Sequence, residues 1–162
     1  MLAVPSAVRA EAAAVCAEPT PQLEFDLSHE RAVVIGNELN NLIVANDGDP
    51  DLDGGPVEFY GGIGNDTLSG GAGLDTLVGG SGDDRIAGSA GHDFLLGGTA
   101  NDRLYGEAGN DVLQGGAHID RLYGGDDNDE FTVFRNVAVL NLNGGDGDDL
   151  FTIRAFALKG SS

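Results

Sequence analysis

In the middle of this chain, large apolar residues neither alternate over long runs nor recur at helical spacing. Between residues 61 and 132 one returns at every ninth position: Leu68, Leu77, Ile86, Leu95, Leu104, Leu113, Leu122 and Phe131. Written in nines, the stretch reads GGIGNDTLS (Gly61 to Ser69), GGAGLDTLV, GGSGDDRIA, GSAGHDFLL, GGTANDRLY, GEAGNDVLQ, GGAHIDRLY and GGDDNDEFT (Gly124 to Thr132). The first six residues of each row are glycine-rich and predict a turn, because glycine reaches positive φ at little cost. The last three predict a very short strand, its apolar residue pointing inward and its neighbours outward. Eight rows without an insertion predict a repeat architecture. Two rows make one coil, so alternate rows stack on the same side.

The flanks are less regular. Residues 1–22 read as leader and linker, with a stretch before Val8-Arg9-Ala10 like the remnant of a signal peptide. Residues 23–60 read as a degenerate capping coil with an acidic loop. There LEFDL, AVVI and NLIV alternate like strands, and IGNELNNLI (Ile35 to Ile43) fits the nine-residue grid with Asn40 at the aspartate place and Leu42 at the apolar place. Residues 61–132 form the regular array. Residues 133–162 are expected to form an irregular C-terminal coil: VFRNVAVLNLN (Val133 to Asn143) reads as a longer strand pair, and GGDGDDLFT (Gly144 to Thr152) resumes the repeat. The ending IRAFALKGSS offers no clear cap, which points to a longer protein or a stacking partner. The fold class expected is all-β, a parallel right-handed β-solenoid with degenerate coils at both ends.

Composition narrows the partners. The 162 residues carry 27 acidic against eight basic side chains, a formal charge of −19. That argues against nucleic acid, whose phosphates need Lys and Arg. No apolar run is long enough to span a bilayer. Cys16 is the only cysteine, so no internal disulfide braces the fold. One buried apolar side chain per nine residues is a thin core, and columns of carboxylates repel one another, so something further must stabilise the folded array.

Position six holds that something, since it is Asp in every row: Asp66, Asp75, Asp84, Asp93, Asp102, Asp111, Asp120 and Asp129, with Asp149 in the later copy. A turn tolerates Asp or Asn now and then; eight of eight asks for a ligand. Together with the glycines this pattern resembles the RTX repeat, the haemolysin-type calcium-binding nonapeptide GGxGxDxUx. The resemblance implies a parallel β-roll with calcium between successive turns, held by the Asp of both turns and by backbone carbonyls of the glycine-rich loops. Carried over by position, Asp66, Asp84, Asp102 and Asp120 line one edge and Asp75, Asp93, Asp111 and Asp129 the other. Three gaps per edge imply about six Ca²⁺ ions, and Asp149 closes a seventh gap with Asp129. A weaker calcium candidate lies at Asp49, Asp51, Asp53 and Gly54, which spell the opening of a calcium loop, although Tyr60 stands where an EF-hand needs Glu.

Departures from the repeat fall at position four (Ala100, His118, Asp127) and position two (Ser89, Glu107), where non-glycine residues at positive φ are strained. His92 and His118 are too scattered for a zinc pair, and HExxH is absent. No Ser-His-Asp or Cys-His constellation is evident, so no enzyme is expected. Outward positions put Arg85, Arg103 and Arg121 beside Tyr105 and Tyr123 on one sheet, a ridge for a carbohydrate or cell-surface anion or simply a solvated face. On the other, Phe94, Val112, Val78 and Leu96 form an apolar surface suited to self-association, unless the strands between Leu23 and Ile35 fold back over it. The expected protein is a secreted or cell-surface, calcium-dependent β-roll with a structural or adhesive role. The alternatives are a filament or surface-layer subunit, or the non-catalytic part of a larger secreted enzyme.

Overall fold

A computed structural model describes residues 13–15, 23–25, 32–45, 55–134 and 141–154. Its strands are β1 (Ala13–Val15), β2 (Leu23–Phe25), β3 (Ala32–Ile35), β4 (Leu42–Ala45), β5 (Val57–Ile63), β6 (Thr67–Gly73), β7 (Thr76–Ser81) and β8 (Arg85–Gly91). They continue as β9 (Phe94–Thr99), β10 (Arg103–Ala108), β11 (Val112–Ala117), β12 (Arg121–Asp126), β13 (Glu130–Phe134), β14 (Asn141–Asp146) and β15 (Leu150–Arg154). Odd-numbered strands form an eight-stranded sheet in chain order and even-numbered strands a seven-stranded one. Every pairing is parallel, and in the regular array the register offset is 18 residues: Leu68 lies beside Ile86, and Leu77 beside Leu95. The chain is therefore an all-β solenoid, consistent with the expected β-roll.

The register follows from the repeat. Each strand from β6 to β12 offers one large inward apolar side chain, and a slip of one residue would turn that side chain to solvent. Val34, Phe59, Leu77, Leu95, Leu113 and Phe131 from the eight-stranded sheet face Ile43, Leu68, Ile86, Leu104 and Leu122 from the other, all essentially without solvent exposure. Val57 fills the interior beside Phe59. At the last rung Phe151 continues this column, stacked on Phe131 at 4.6 Å, but stays 43% exposed.

Three expectations about the flanks meet the structure differently. The capping coil belongs to the roll, yet its grid is shifted by one. Gly36 takes position one, Asn41 the aspartate place and Ile43 the apolar place, because Ile43 pairs with Leu68. Ile35, which the expected grid puts at position one, points outward and is 41% exposed. The strands between Leu23 and Ile35 do not fold over the apolar face: β2 pairs with β4 and β3 with β5, so they lengthen the sheets. After β13 the chain is next described at β14, on the opposite sheet with Asn141 beside Arg121, and residues 135–140 of the expected longer strand pair lie outside the described residues. The acidic stretch with Asp49, Asp51 and Asp53 lies outside the described residues, as does all of the segment read as leader except β1.

Candidate metal centre

The turns join the two sheets along two edges. Asp66, Asp84, Asp102 and Asp120 occupy one, and Asp75, Asp93, Asp111, Asp129 and Asp149 the other. The eight aspartates of the regular rows are each 2% exposed or less, although the edge faces solvent. Each carboxylate splits its work. Its Oδ1 accepts the backbone N–H one coil earlier: Asp66 to Asp84 at 2.7 Å, Asp84 to Asp102 at 2.9 Å and Asp102 to Asp120 at 3.0 Å. On the other edge the N–H groups of Asp75, Asp93, Asp111 and Asp129 reach Asp93, Asp111, Asp129 and Asp149 at 2.8 to 3.1 Å.

The second oxygen is left over. Oδ2 of Asp66, Asp75, Asp84, Asp93, Asp102, Asp111 and Asp129 is buried without a hydrogen-bond partner. An unsatisfied buried carboxylate oxygen is costly, so it marks either a strain or a missing ligand. Its surroundings point to the ligand. A Cβ built on Gly61 would collide with Asp66 Oδ2 and lie 2.6 Å from the Gly79 carbonyl oxygen. The same pairing recurs for Asp84 with Gly97 and Asp102 with Gly115. On the other edge it joins Asp75 with Gly88, Asp93 with Gly106, Asp111 with Gly124 and Asp129 with Gly144. Position one is glycine in every row because any side chain there would fill this oxygen-lined cradle.

Electrostatics agree. Burial pushes the Asp102 carboxyl up to about 8, opposed by the Asp84 N–H and reinforced by the flanking carboxylates of Asp84 and Asp120. Asp111 rises to about 7 for the same reasons, with Asp93 and Asp129 as its charged neighbours. Burial likewise raises Asp84 and Asp93 to about 6, and lifts Asp66, Asp120 and Asp129. A column of buried like charges favours protonation unless a cation is present.

Among the described residues no three His, Cys, Asp or Glu side chains gather as a metal cluster. A transition-metal site of side chains alone is therefore not formed there. Calcium differs in accepting backbone carbonyls beside carboxylates as hard oxygen ligands. The donors present, one orphaned carboxylate oxygen and an adjacent glycine carbonyl per cradle, fit that preference. Residues 60–95 and 96–131 both match the family described as RTX calcium-binding nonapeptide repeat (4 copies). These residues are RTX calcium-binding repeats. Neither a curated protein nor a solved structure matches the chain. The RTX β-roll is a structural, calcium-binding fold, and no helix among the described residues is long and apolar enough to cross a membrane.

The RTX turns contain a second ladder that sequence reasoning missed. Position-five side chains accept the backbone N–H one coil later: Asn40 from Asn65, Asn65 from Asp83, Asp83 from Asn101 and Asn101 from Ile119, at 2.8 to 3.1 Å. On the other edge His92 Nδ1 accepts from Asn110 at 2.7 Å, Asn110 from Asn128, and Asn128 from Asp148. Asn40 thus has a place in the turn, though not the aspartate place. The signal was available as the recurrence of Asn, Asp or His at position five. All five non-glycine residues at positions two and four do adopt positive φ: Ser89, Ala100, Glu107, His118 and Asp127, at 74° to 87°.

Proposed function

We propose that each cradle takes one calcium ion, so that folding of the RTX array and calcium binding are one event. The observation that carries this is the set of seven buried, unpartnered Oδ2 atoms, each beside a glycine carbonyl of the next coil. Three cradles then lie on the Asp66 edge, at Asp66, Asp84 and Asp102, and four on the other, at Asp75, Asp93, Asp111 and Asp129. Asp120 and Asp149 close the two columns through their Oδ1 atoms. A bound cation supplies the positive charge that the buried carboxylates lack, and binding to a site that exists only when folded is itself folding free energy. The chain itself positions the oxygens, keeps water off the Oδ2 atoms and holds the turns in register.

On this reading the protein is a secreted or cell-surface structural module that orders itself where calcium is plentiful. Circular dichroism during a calcium titration tests it. The chelated protein should be largely disordered and gain β-structure cooperatively on calcium addition. A β-rich spectrum in excess chelator, unchanged by calcium, would overturn it. A second reading, self-association through the eight-stranded sheet, draws on the outward row of Phe94 and Val112 beside Val78 and Leu96, which are half-buried. Light scattering on the calcium-loaded protein and on a Phe94→Lys, Leu96→Glu variant tests that reading, and a monomer in both cases removes it.

A further inference from the structure

The outer face of the seven-stranded sheet has a composition unlike the rest of the molecule. Across the five rungs β6, β8, β10, β12 and β14, one outward column reads Thr67, Arg85, Arg103, Arg121 and Asn141. The column beside it reads Ser69, Ala87, Tyr105, Tyr123 and Asn143. Neither contains a carboxylate, in a chain with 27 acidic residues. The three arginines are exposed and form no ion pair with a described residue. Asp83, two residues before Arg85, is turned to Asn101 instead, accepting from its N–H at 2.9 Å and its Nδ2 at 3.2 Å. Glu107 lies at the far end of its strand, two residues past Tyr105.

The tyrosines are fixed in place. Tyr105 and Tyr123 stack at 5.1 Å with planes 6° apart, and the Arg85 guanidinium sits 4.4 Å from the Tyr105 ring centre. Tyr105 therefore has one face on Tyr123 and the other on Arg85. The rings stand beside a column of arginines carried on neighbouring strands about 4.8 Å apart. Polar Thr67, Ser69, Asn141 and Asn143 flank this core on either side, giving a strip about 19 Å long across the strands.

We propose that this strip binds a linear acidic polysaccharide, lying across the strands, with its carboxylate or sulfate groups on Arg85, Arg103 and Arg121 and its hydroxyls on the flanking side chains. Charge complementarity favours an anion at this face. Both faces of Tyr105 and one face of Tyr123 are occupied, which disfavours single-stranded nucleic acid, since that binds chiefly by stacking successive bases on open aromatic faces. An extended acidic peptide would add to a sheet edge rather than lie across a face already paired on both sides. The periodic donors match a polymer whose anionic groups also repeat, and an arginine fork can hold a carboxylate or sulfate through two hydrogen bonds.

The test uses the full chain saturated with calcium and two probes, a heparin-derived hexasaccharide and a galacturonate hexamer, with neutral dextran as the blank. Arg103→Gln removes one positive charge from the ridge, and Gln114→Glu lowers the net charge equally on the opposite sheet. Every variant is first checked for the calcium-dependent circular dichroism of the parent. Binding of either acidic probe, weakened at least fivefold by Arg103→Gln and less than twofold by Gln114→Glu, is the expected result. The probe bound more tightly tells sulfate from carboxylate. Equal weakening by the two substitutions, or no binding of either acidic probe by the parent, overturns the proposal.

Discussion

Asn41 Oδ1 accepts the backbone N–H of Asn37 at 3.0 Å, while Asn41 Nδ2 donates to Asn37 Oδ1 at 3.2 Å. The oxygen left bare at seven aspartates is thus satisfied at the turn between β3 and β4. Otherwise the turn is built like the others, since a Cβ on Gly36 would meet Asn41 Oδ1 and the Gly61 carbonyl oxygen. The amide lets this cradle close without an ion. Asn41→Asp should therefore create one more site, raising calcium stoichiometry in equilibrium dialysis by one over the parent. An unchanged stoichiometry in a folded variant would show that the aspartate and glycine carbonyl alone do not make a site.

Asp84 touches two gaps and Asp66 effectively one. Asp84 Oδ1 holds the Asp66 N–H, and its Oδ2 lies in the cradle with the Gly97 carbonyl. Asp66 Oδ1 holds Asn41, on whose side there is no bare oxygen. Asp84→Ala should lower stoichiometry by up to two ions and Asp66→Ala by one. Equal losses would contradict this arrangement.

Acidity should act oppositely on the metal-free and calcium-loaded chains. The ordinary carboxyl value here is 3.8, and in the roll burial raises Asp102 to about 8 and Asp111 to about 7. A group raised on folding contributes stability that is full below its unfolded value and is lost as pH climbs through its folded value. In chelator, β-structure should grow as pH falls from 8 toward 5, because protonation relieves the buried charge. Calcium needs the ionised carboxylates, so its affinity should fall over the same range and its binding should release protons. Chelator-treated samples that lose β-structure on acidification would refute the first half. Calcium affinity that is flat between pH 5 and 8 would refute the second.

Ala100 sits at φ 84°, where its Cβ is strained. The left-handed region costs an L-residue roughly 1–2 kcal/mol, and glycine gives part of that back through its greater freedom when unfolded. Ala100→Gly should stabilise the calcium-loaded protein by about 0.5–1 kcal/mol in denaturant unfolding. The reverse change at Gly91, whose added Cβ would run into the Gly73 carbonyl oxygen, should prevent proper closure of that turn. A destabilised Ala100→Gly would mean that the alanine side chain contributes packing worth more than the strain.

Much of this was legible from the nine-residue beat. Position-eight residues had to point inward, and the aspartate columns separate by row parity, because a period-two strand and a two-row coil leave no other arrangement. The five strained residues were legible too, since only glycine fits those turns without cost. The first coil was not. The expected grid puts Ile35 at position one, where every row carries glycine; Gly36 with Asn41 and Ile43 keeps that glycine, as the pairing of Ile43 with Leu68 shows. The second ladder was hidden for a different reason. Asn, His and Asp share little as letters but each presents an acceptor at the same reach, so a consensus that records identity passes over a position that records function.

The two ladders run in opposite directions, Asp to the coil before and position five to the coil after. Turns inside the array are therefore gripped from both sides, and these bonds run from coil to coil along the roll. Tension applied in that direction would load them in series, one coil at a time, rather than shear many at once. Each coil of 18 residues that parts would release about 60 Å of chain, at 3.3–3.6 Å per extended residue. Between two anchors, the calcium-loaded array would be a tether that lengthens in steps. Single-molecule extension should show that staircase, and a single rupture of the whole array would show that the coils do not part separately.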